Sequence, residues 1–150
     1  MADIKELAEK GGQILTFLSD GKSFGFQILD VTDIIEIPEI TIIPTAPPHL
    51  LGIMNLRGRA VPVMDLRLRL GYPKGEYDER SCVIIIEINT HQCGILVDRV
   101  SDVEAVPAGK TALSPAENGV VCGFVTLNES SRISIIDPEK LVRAQLKEVK

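Results

Sequence analysis

The stretch from Leu50 to Gly71 reads LLGIMNLRGRAVPVMDLRLRLG. Its two apolar runs, LLGIMNLR and RAVPVMD, meet at Arg57-Gly58, and two strand-like runs joined by so short a glycine-bearing connection predict an antiparallel hairpin. Behind it, Asp65 is placed to cap a short helical segment over Leu66–Leu70, which Gly71 ends in a left-handed cap. Folding alone accounts for the glycine, the apolar positions and the aspartate. It gives no reason for the arginines beside the tip, except that exposed positive charge discourages unwanted strand pairing.

Working outward, the same texture recurs as QILTFLS, SFGFQIL, VTDIIEI, LLGIMNLR, RAVPVMD, CVIIIEI, QCGILVD, VSDVEAV, VVCGFVTL and RISIID. Short runs rich in β-branched residues with turn formers between them predict a mostly β fold of barrel or sandwich type. Asp20-Gly21 and Asn89 to His91 mark two further hairpins. Helix is scarce. Asp137-Pro138 reads as an N-cap and first-turn proline, and Leu141, Val142, Leu146 and Val149 then form one apolar side of a C-terminal helix over 138–150. Residues 71–80, GYPKGEYDER, lack periodicity and read as a linker.

The chain also repeats itself. A shift of 69 places lays Phe24–Pro38 over Cys93–Pro107, matching Gly25 with Gly94, Val31 with Val100, Asp33 with Asp102 and Pro38 with Pro107. With the offset drifting to 71 and 72, Gly52 meets Gly123, Leu56 meets Leu127 and Val61–Asp65 meets Ile133–Asp137. One five-stranded unit is used twice. Such a unit is too small to bury much core by itself, so the expected architecture is a single domain of two five-stranded β-barrels packed side by side. The first barrel is expected over 13–70, the linker over 71–80 and the second barrel over 81–137.

Positions shared by the copies serve the common fold, so function is sought where they differ. Glu36 overlies Ala105, and Arg57 overlies Asn128. Only the first copy carries this acid and base, and the expectation is that Glu36 pairs with Arg57 and orients its five-donor guanidinium for a partner.

Composition narrows the function classes. With 45% apolar residues, 25% charged residues and a net charge of −5, the chain reads as a folded soluble protein without a basic surface for nucleic acid or an anionic membrane. No apolar run is long enough to span a bilayer, and the polar N-terminus is unlike a secretory signal, so a cytoplasmic location is expected. Cys82, Cys93 and Cys122 lie far apart among apolar residues and read as buried thiols. His49 and His91 stand alone, so neither a metal site nor a hydrolytic triad is suggested. No phosphate-binding glycine motif is present. The reading is an interaction module with no catalytic residues, no metal and no cofactor; an enzyme or small-molecule sensor using the cleft between the barrels is the competing possibility.

GIMNLRGRAVPVMDL closely resembles the signature of CheW-like chemotaxis coupling proteins, and GILVDRVSDV resembles the corresponding part of the second half. The resemblance covers nearly the whole chain from Gln13. It implies two five-stranded barrels without catalytic activity, acting as an adaptor between a CheA-type histidine kinase and the cytoplasmic tips of chemoreceptors, with the kinase's regulatory domain sharing the fold. A CheV-like adaptor is the nearest alternative. The resemblance further implies that the acid of the third strand and the arginine of the Asn-Leu-Arg-Gly motif, here Glu36 and Arg57, lie at partner surfaces. Ile34 and Gly52 match nearby positions; Ile37, Pro38, Asn55 and Arg59 are added by proximity. A receptor groove between the barrels is implied without assigned side chains.

Overall fold

Three hairpin tips set the fold. Asp20 and Gly21, Arg57 and Gly58, and Asn89 and Thr90 all have positive φ, between 47° and 83°. Two consecutive positive φ values define the two-residue turn whose twist matches that of the strands it joins. In the computed structural model, which describes residues 3–114, 119–128 and 131–142, each tip closes a hairpin. These are β1 (Gly12–Ser19) with β2 (Lys22–Gln27), β4 (Leu50–Leu56) with β5 (Arg59–Asp65), and β6 (Cys82–Ile88) with β7 (His91–Val97). The other strands are β3 (Val31–Glu36), β8 (Arg99–Val106), β9 (Thr111–Leu113), β10 (Val121–Asn128) and β11 (Ser131–Ile136). Two short helices, α1 (Ile4–Lys10) and α2 (Leu66–Arg69), are capped by Asp3 and Asp65.

The strands form a six-stranded sheet in the order β8-β1-β2-β11-β10-β9 and a five-stranded sheet in the order β3-β6-β7-β5-β4. The expected mostly β fold of two small sheets is present. The division into contiguous barrels is not: the segments 13–70 and 81–137 each supply strands to both sheets. When the two copies are aligned, each sheet maps onto the other strand for strand, apart from β9. The third strand of each copy therefore pairs with the first strand of the other, β3 on β6 and β8 on β1. Short connections produce this crossing. Only the single helical turn Ile28–Asp30 separates β2 from β3, and Asp98 alone separates β7 from β8, so the chain steps onto the neighbouring sheet.

The repeat extends to irregularities. Register shifts skip Thr32 in β3 and its counterpart Ser101 in β8, and skip Leu51 in β4 and its counterpart Cys122 in β10. Strand β9, absent from the sequence expectation, corresponds to an isolated bridge between Thr41 and Ile53 in the first copy.

Three apolar layers hold the sheets. Inside the six-stranded sheet, Ile14, Val106, Val125, Ile133 and Ile135 cluster with Leu7 of α1, joining strands from both ends of the sheet and showing that it curls. Inside the five-stranded sheet, Met54, Val61, Val63, Val83, Ile85 and Leu96 do the same, with Ile35 and Tyr77 against them. Between the sheets lie Leu15, Phe17, Phe24, Phe26, Met64, Ile84, Ile86, Ile95 and Ile136. Strands β1 and β6 thus face apolar surroundings on both sides. This explains their near-continuous apolar runs, because alternation with polar residues requires one wet face.

Helix α1 has no counterpart in the sequence expectation. It is only two turns long, and its Leu7 stoppers the six-stranded sheet. The linker 71–80 has no regular element, yet Tyr77 is anchored: its hydroxyl donates to the buried Asp65 carboxylate at 2.7 Å. The expected C-terminal helix begins as read. Asp137 accepts from the amides of Glu139 and Lys140, residues 138–142 are helical, and Arg69 donates to the carbonyls of Lys140 and Leu141. The remainder of that helix, 143–150, lies outside the described residues.

Candidate functional site

Strands β3 and β4 are the opposite edges of the five-stranded sheet, and the curl of that sheet brings them together at the β4–β5 tip. Here the Arg57 guanidinium donates to Asp33 Oδ2 at 2.9 Å. The expected Glu36–Arg57 pair is therefore replaced by Asp33–Arg57. Parity along the strand is the reason: successive side chains of β3 point to opposite faces. Asp33 and Ile35 are half-buried on the face turned toward the tip, whereas Ile34 and Glu36 are exposed on the other. Glu36 ends β3 opposite Cys82 of β6.

The local sequence fixes the tip. Asn55 Oδ1 accepts from the Gly58 amide at 2.8 Å, bracing the turn from inside. Asn, Asp or Gly is the ordinary occupant where Arg57 sits at φ 53°, because a β-carbon crowds the backbone there. The other two tips obey that preference with Asp20 and Asn89. Arg57 keeps its side chain 79% exposed, so its ion pair stabilises the fold by only about 0–1 kcal/mol. The position thus holds a strained, solvent-facing guanidinium aimed by a carboxylate.

Along β3 and just after it, Ile34 is 43% exposed on the side away from the tip, and Ile37 is 40% exposed. Ile37 has its counterpart in Val106, which is buried in the six-stranded sheet. Pro38 is half-buried just after β3, and Arg59 is exposed opposite Leu56. Gly52 does not reach the surface. It lies buried with φ 155° beneath Ile40 and Thr41, and a β-carbon there would overlap the Thr41 carbonyl. Its part is to let the segment after β3 lie flat on β4, where Thr41 and Ile53 exchange amide hydrogen bonds at 2.8 and 2.9 Å.

Sequence reasoning missed Asp33, because the comparison of copies set it aside with Asp102. Both aspartates do serve the fold alike, each accepting the amide of the following residue. Asp33 spends its second oxygen on Arg57, and strand parity was the signal that would have selected it. Also missed were Ile42 and Leu29, exposed at 76% and 85%. Leu29 edges a cavity of about 470 Å³ between α1 and the Ile28–Asp30 turn, lined also by Glu6, Lys10, Gln13 and Gln27.

Of the three cysteines expected to be buried, Cys93 is, whereas Cys82 and Cys122 are half-buried. Cys93 is buried and pushed up to about 12, and Cys122 up to about 11, both by loss of hydration of the thiolate. Among the described residues no three His, Cys, Asp or Glu side chains form a metal-sized cluster, and no helix is long and apolar enough to cross a membrane.

A two-sheet scaffold whose exposed features are apolar edges and an aimed arginine belongs to the class of interaction modules. Residues 13–146 match the family model of the CheW-like domain, and the chain belongs to that family. It is 32% identical to the chemotaxis protein CheW of Klebsiella aerogenes over 97% of this chain and 91% of that protein. It is 29% identical to the CheW of Bacillus subtilis over 85% of this chain and 84% of that one. Among solved structures, the scaffolding protein TtCheW of Thermoanaerobacter tengcongensis superposes with a TM-score of 0.81 at 30% identity, covering 87% of this chain and 92% of that chain. The protein is accordingly a non-enzymatic chemotaxis adaptor.

Proposed function

We propose that the chain couples the cytoplasmic tips of methyl-accepting chemoreceptors to a CheA-type histidine kinase at the inner face of the membrane, using the corner formed by Asp33, Ile37 and Arg57 as one docking face and Ile34, on the opposite side of β3, as part of a second. The observation that carries this reading is Arg57 held at positive φ, braced by Asn55 and aimed by Asp33, with Ile34 and Ile37 left exposed along and just after β3. Apolar burial with one oriented arginine is the composition of an interface anchor, where Ile37 supplies area, Arg57 supplies directional hydrogen bonds, and Ile34 adds apolar area on the opposite side of β3. The mechanism is mass action and geometry: a rigid body with two or more patches raises the local concentration of kinase at receptors and fixes their mutual orientation.

The test is binding of the full chain to two separate probes, a kinase regulatory domain and a receptor signalling hairpin. The reading expects binding to both and a loss of at least tenfold for one of them in Arg57→Ala. No binding to either at high micromolar concentration would overturn it.

A further inference from the structure

The sheets are built by reciprocal exchange, so most of the structure is a contact between the two halves of the chain. Among the described residues, the first half pairs within itself as β1–β2 and β4–β5, with the Thr41–Ile53 bridge, and the second as β6–β7, β9–β10 and β10–β11. The β1–β8, β2–β11, β3–β6 and β5–β7 ladders all join one half to the other. The apolar layer between the sheets also draws on both halves. Among the described residues, neither β3 nor β8 has a partner strand in its own half. If the two halves came from two copies of the chain, every one of these contacts would re-form unchanged.

Only the strap 71–80 distinguishes the two outcomes, and it is tied down at several points. The Tyr77 hydroxyl donates to Asp65, the Tyr72 amide donates to the Arg67 carbonyl at 2.8 Å, and Lys22 Nζ stands 4.2 Å above the Tyr72 ring. Gly75 lies against the Arg67 guanidinium so closely that a β-carbon would overlap it. Arg67 is itself gripped by Asp98 and Asp20, from the β7–β8 junction and the β1–β2 tip. Both sheets thus converge on the residue against which the strap is folded.

We propose that this strap is a latch that commits the two halves to pair within one chain, and that a second copy of the chain is the partner the same surfaces take when the latch is loosened, giving a strand-exchanged dimer. A short flexible connection supplies an effective concentration on the order of millimolar. Because the latch contacts tie the strap to Lys22, Asp65 and Arg67 of the first half, they shorten the free connection to the second half and raise that advantage. The closed chain is favoured at low concentration. Exchange needs global opening, so it is set during refolding. The exchanged dimer carries two Arg57 corners on one body, which would raise avidity for any repeated partner. The proposal rests on strand pairing and stands whether or not the docking reading does.

Glu36 faces Cys82 across β3–β6, which provides a reporter. Glu36→Cys, in a background with Cys93→Ala and Cys122→Ala, gives a link that stays within one chain when the halves self-pair and joins two chains when they exchange. The protein is unfolded in urea, refolded at about 5 µM and at about 500 µM, the second approaching the effective concentration within one chain, and then oxidised. The parent is expected to give an intrachain link and a monomer by light scattering. Tyr77→Phe with Lys22→Ala, through loss of a hydrogen bond and a cation–π contact, and Gly75→Ala separately, through displacement of the strap from Arg67, are expected to give a covalent dimer whose share at the higher concentration exceeds the parent's about tenfold. Intrachain links at both concentrations in every latch variant that refolds overturn the proposal. So does a dimer whose chains carry only intrachain links, since it would be joined through outer faces.

Discussion

Arg57→Asn places in the first copy the residue that overlies it in the second. In the left-handed region an L-residue costs about 1–2 kcal/mol, and asparagine tolerates it better than arginine. The ion pair lost is 79% exposed on the arginine side and contributes about 0–1 kcal/mol. The brace from Asn55 to the Gly58 amide involves neither changed atom and remains. The two effects oppose each other, so the variant should range from unchanged to about 1 kcal/mol more stable, a rise in melting temperature of no more than about 2–4 °C. Affinity for the kinase domain or the receptor hairpin should fall at least tenfold, about 1.4 kcal/mol, because the oriented fork is gone. Urea melts and calorimetry give the first quantity; titration against each partner gives the second. A variant that loses more than about 1 kcal/mol of stability and binds both partners as before would refute the reasoning, since Arg57 would then be serving the fold.

Gly52→Ala should cost about 1–3 kcal/mol and deprotect the Ile53 and Thr41 amides in hydrogen exchange, because the new methyl displaces the Ile40–Thr41 backbone. Arg67→Met removes the cation that bridges Asp20 and Asp98, leaving Asp20 to the exposed Lys22, and should cost about 2 kcal/mol in urea unfolding; Arg67→Lys should recover less than half, for want of a bidentate fork. Burial raises the Cys93 thiol from 9.0 to about 12 in the folded state, so its contribution to stability is complete below pH about 9 and is lost as pH climbs toward 12. Cys93→Ala should therefore flatten the alkaline decline in stability over that window, and native Cys93 should resist thiol reagents at pH about 8 until the chain is unfolded.

The fold class was legible because its signals are local. Three two-residue turns, period-free apolar runs and capping aspartates act over a few residues, and Asp20, Asn89, Asp65 and Asp137 all perform as their neighbours imply. The repeat likewise foretold two matching sheets. What it misled about was which copy of a strand pairs with which: contiguous barrels over 13–70 and 81–137 were expected, and both choices present the same residues to the same neighbours. Helix α1 escaped for a related reason: two turns with one buried leucine carry too little periodicity to read. At the site, Arg57 was found because the copies differ there. Asp33 was missed because they agree, although an aspartate has two oxygens and can serve the fold with one and a partner with the other. Gly52 belongs to the interior rather than to a partner surface, and the need for a bare backbone under Thr41 appears only when two distant segments are seen in contact.

The reciprocal exchange of β3 and β8 also bears on how such a chain can change over generations. A duplication whose products fold side by side leaves two separable modules, either of which can later be lost, moved into another gene or left to drift. Here each copy completes the other's sheet, so neither can be discarded without unmaking both. The two halves are bound to be inherited together, and novelty is confined to places such as the β4–β5 tip, where one copy can diverge without disturbing the ladder it lends to its twin.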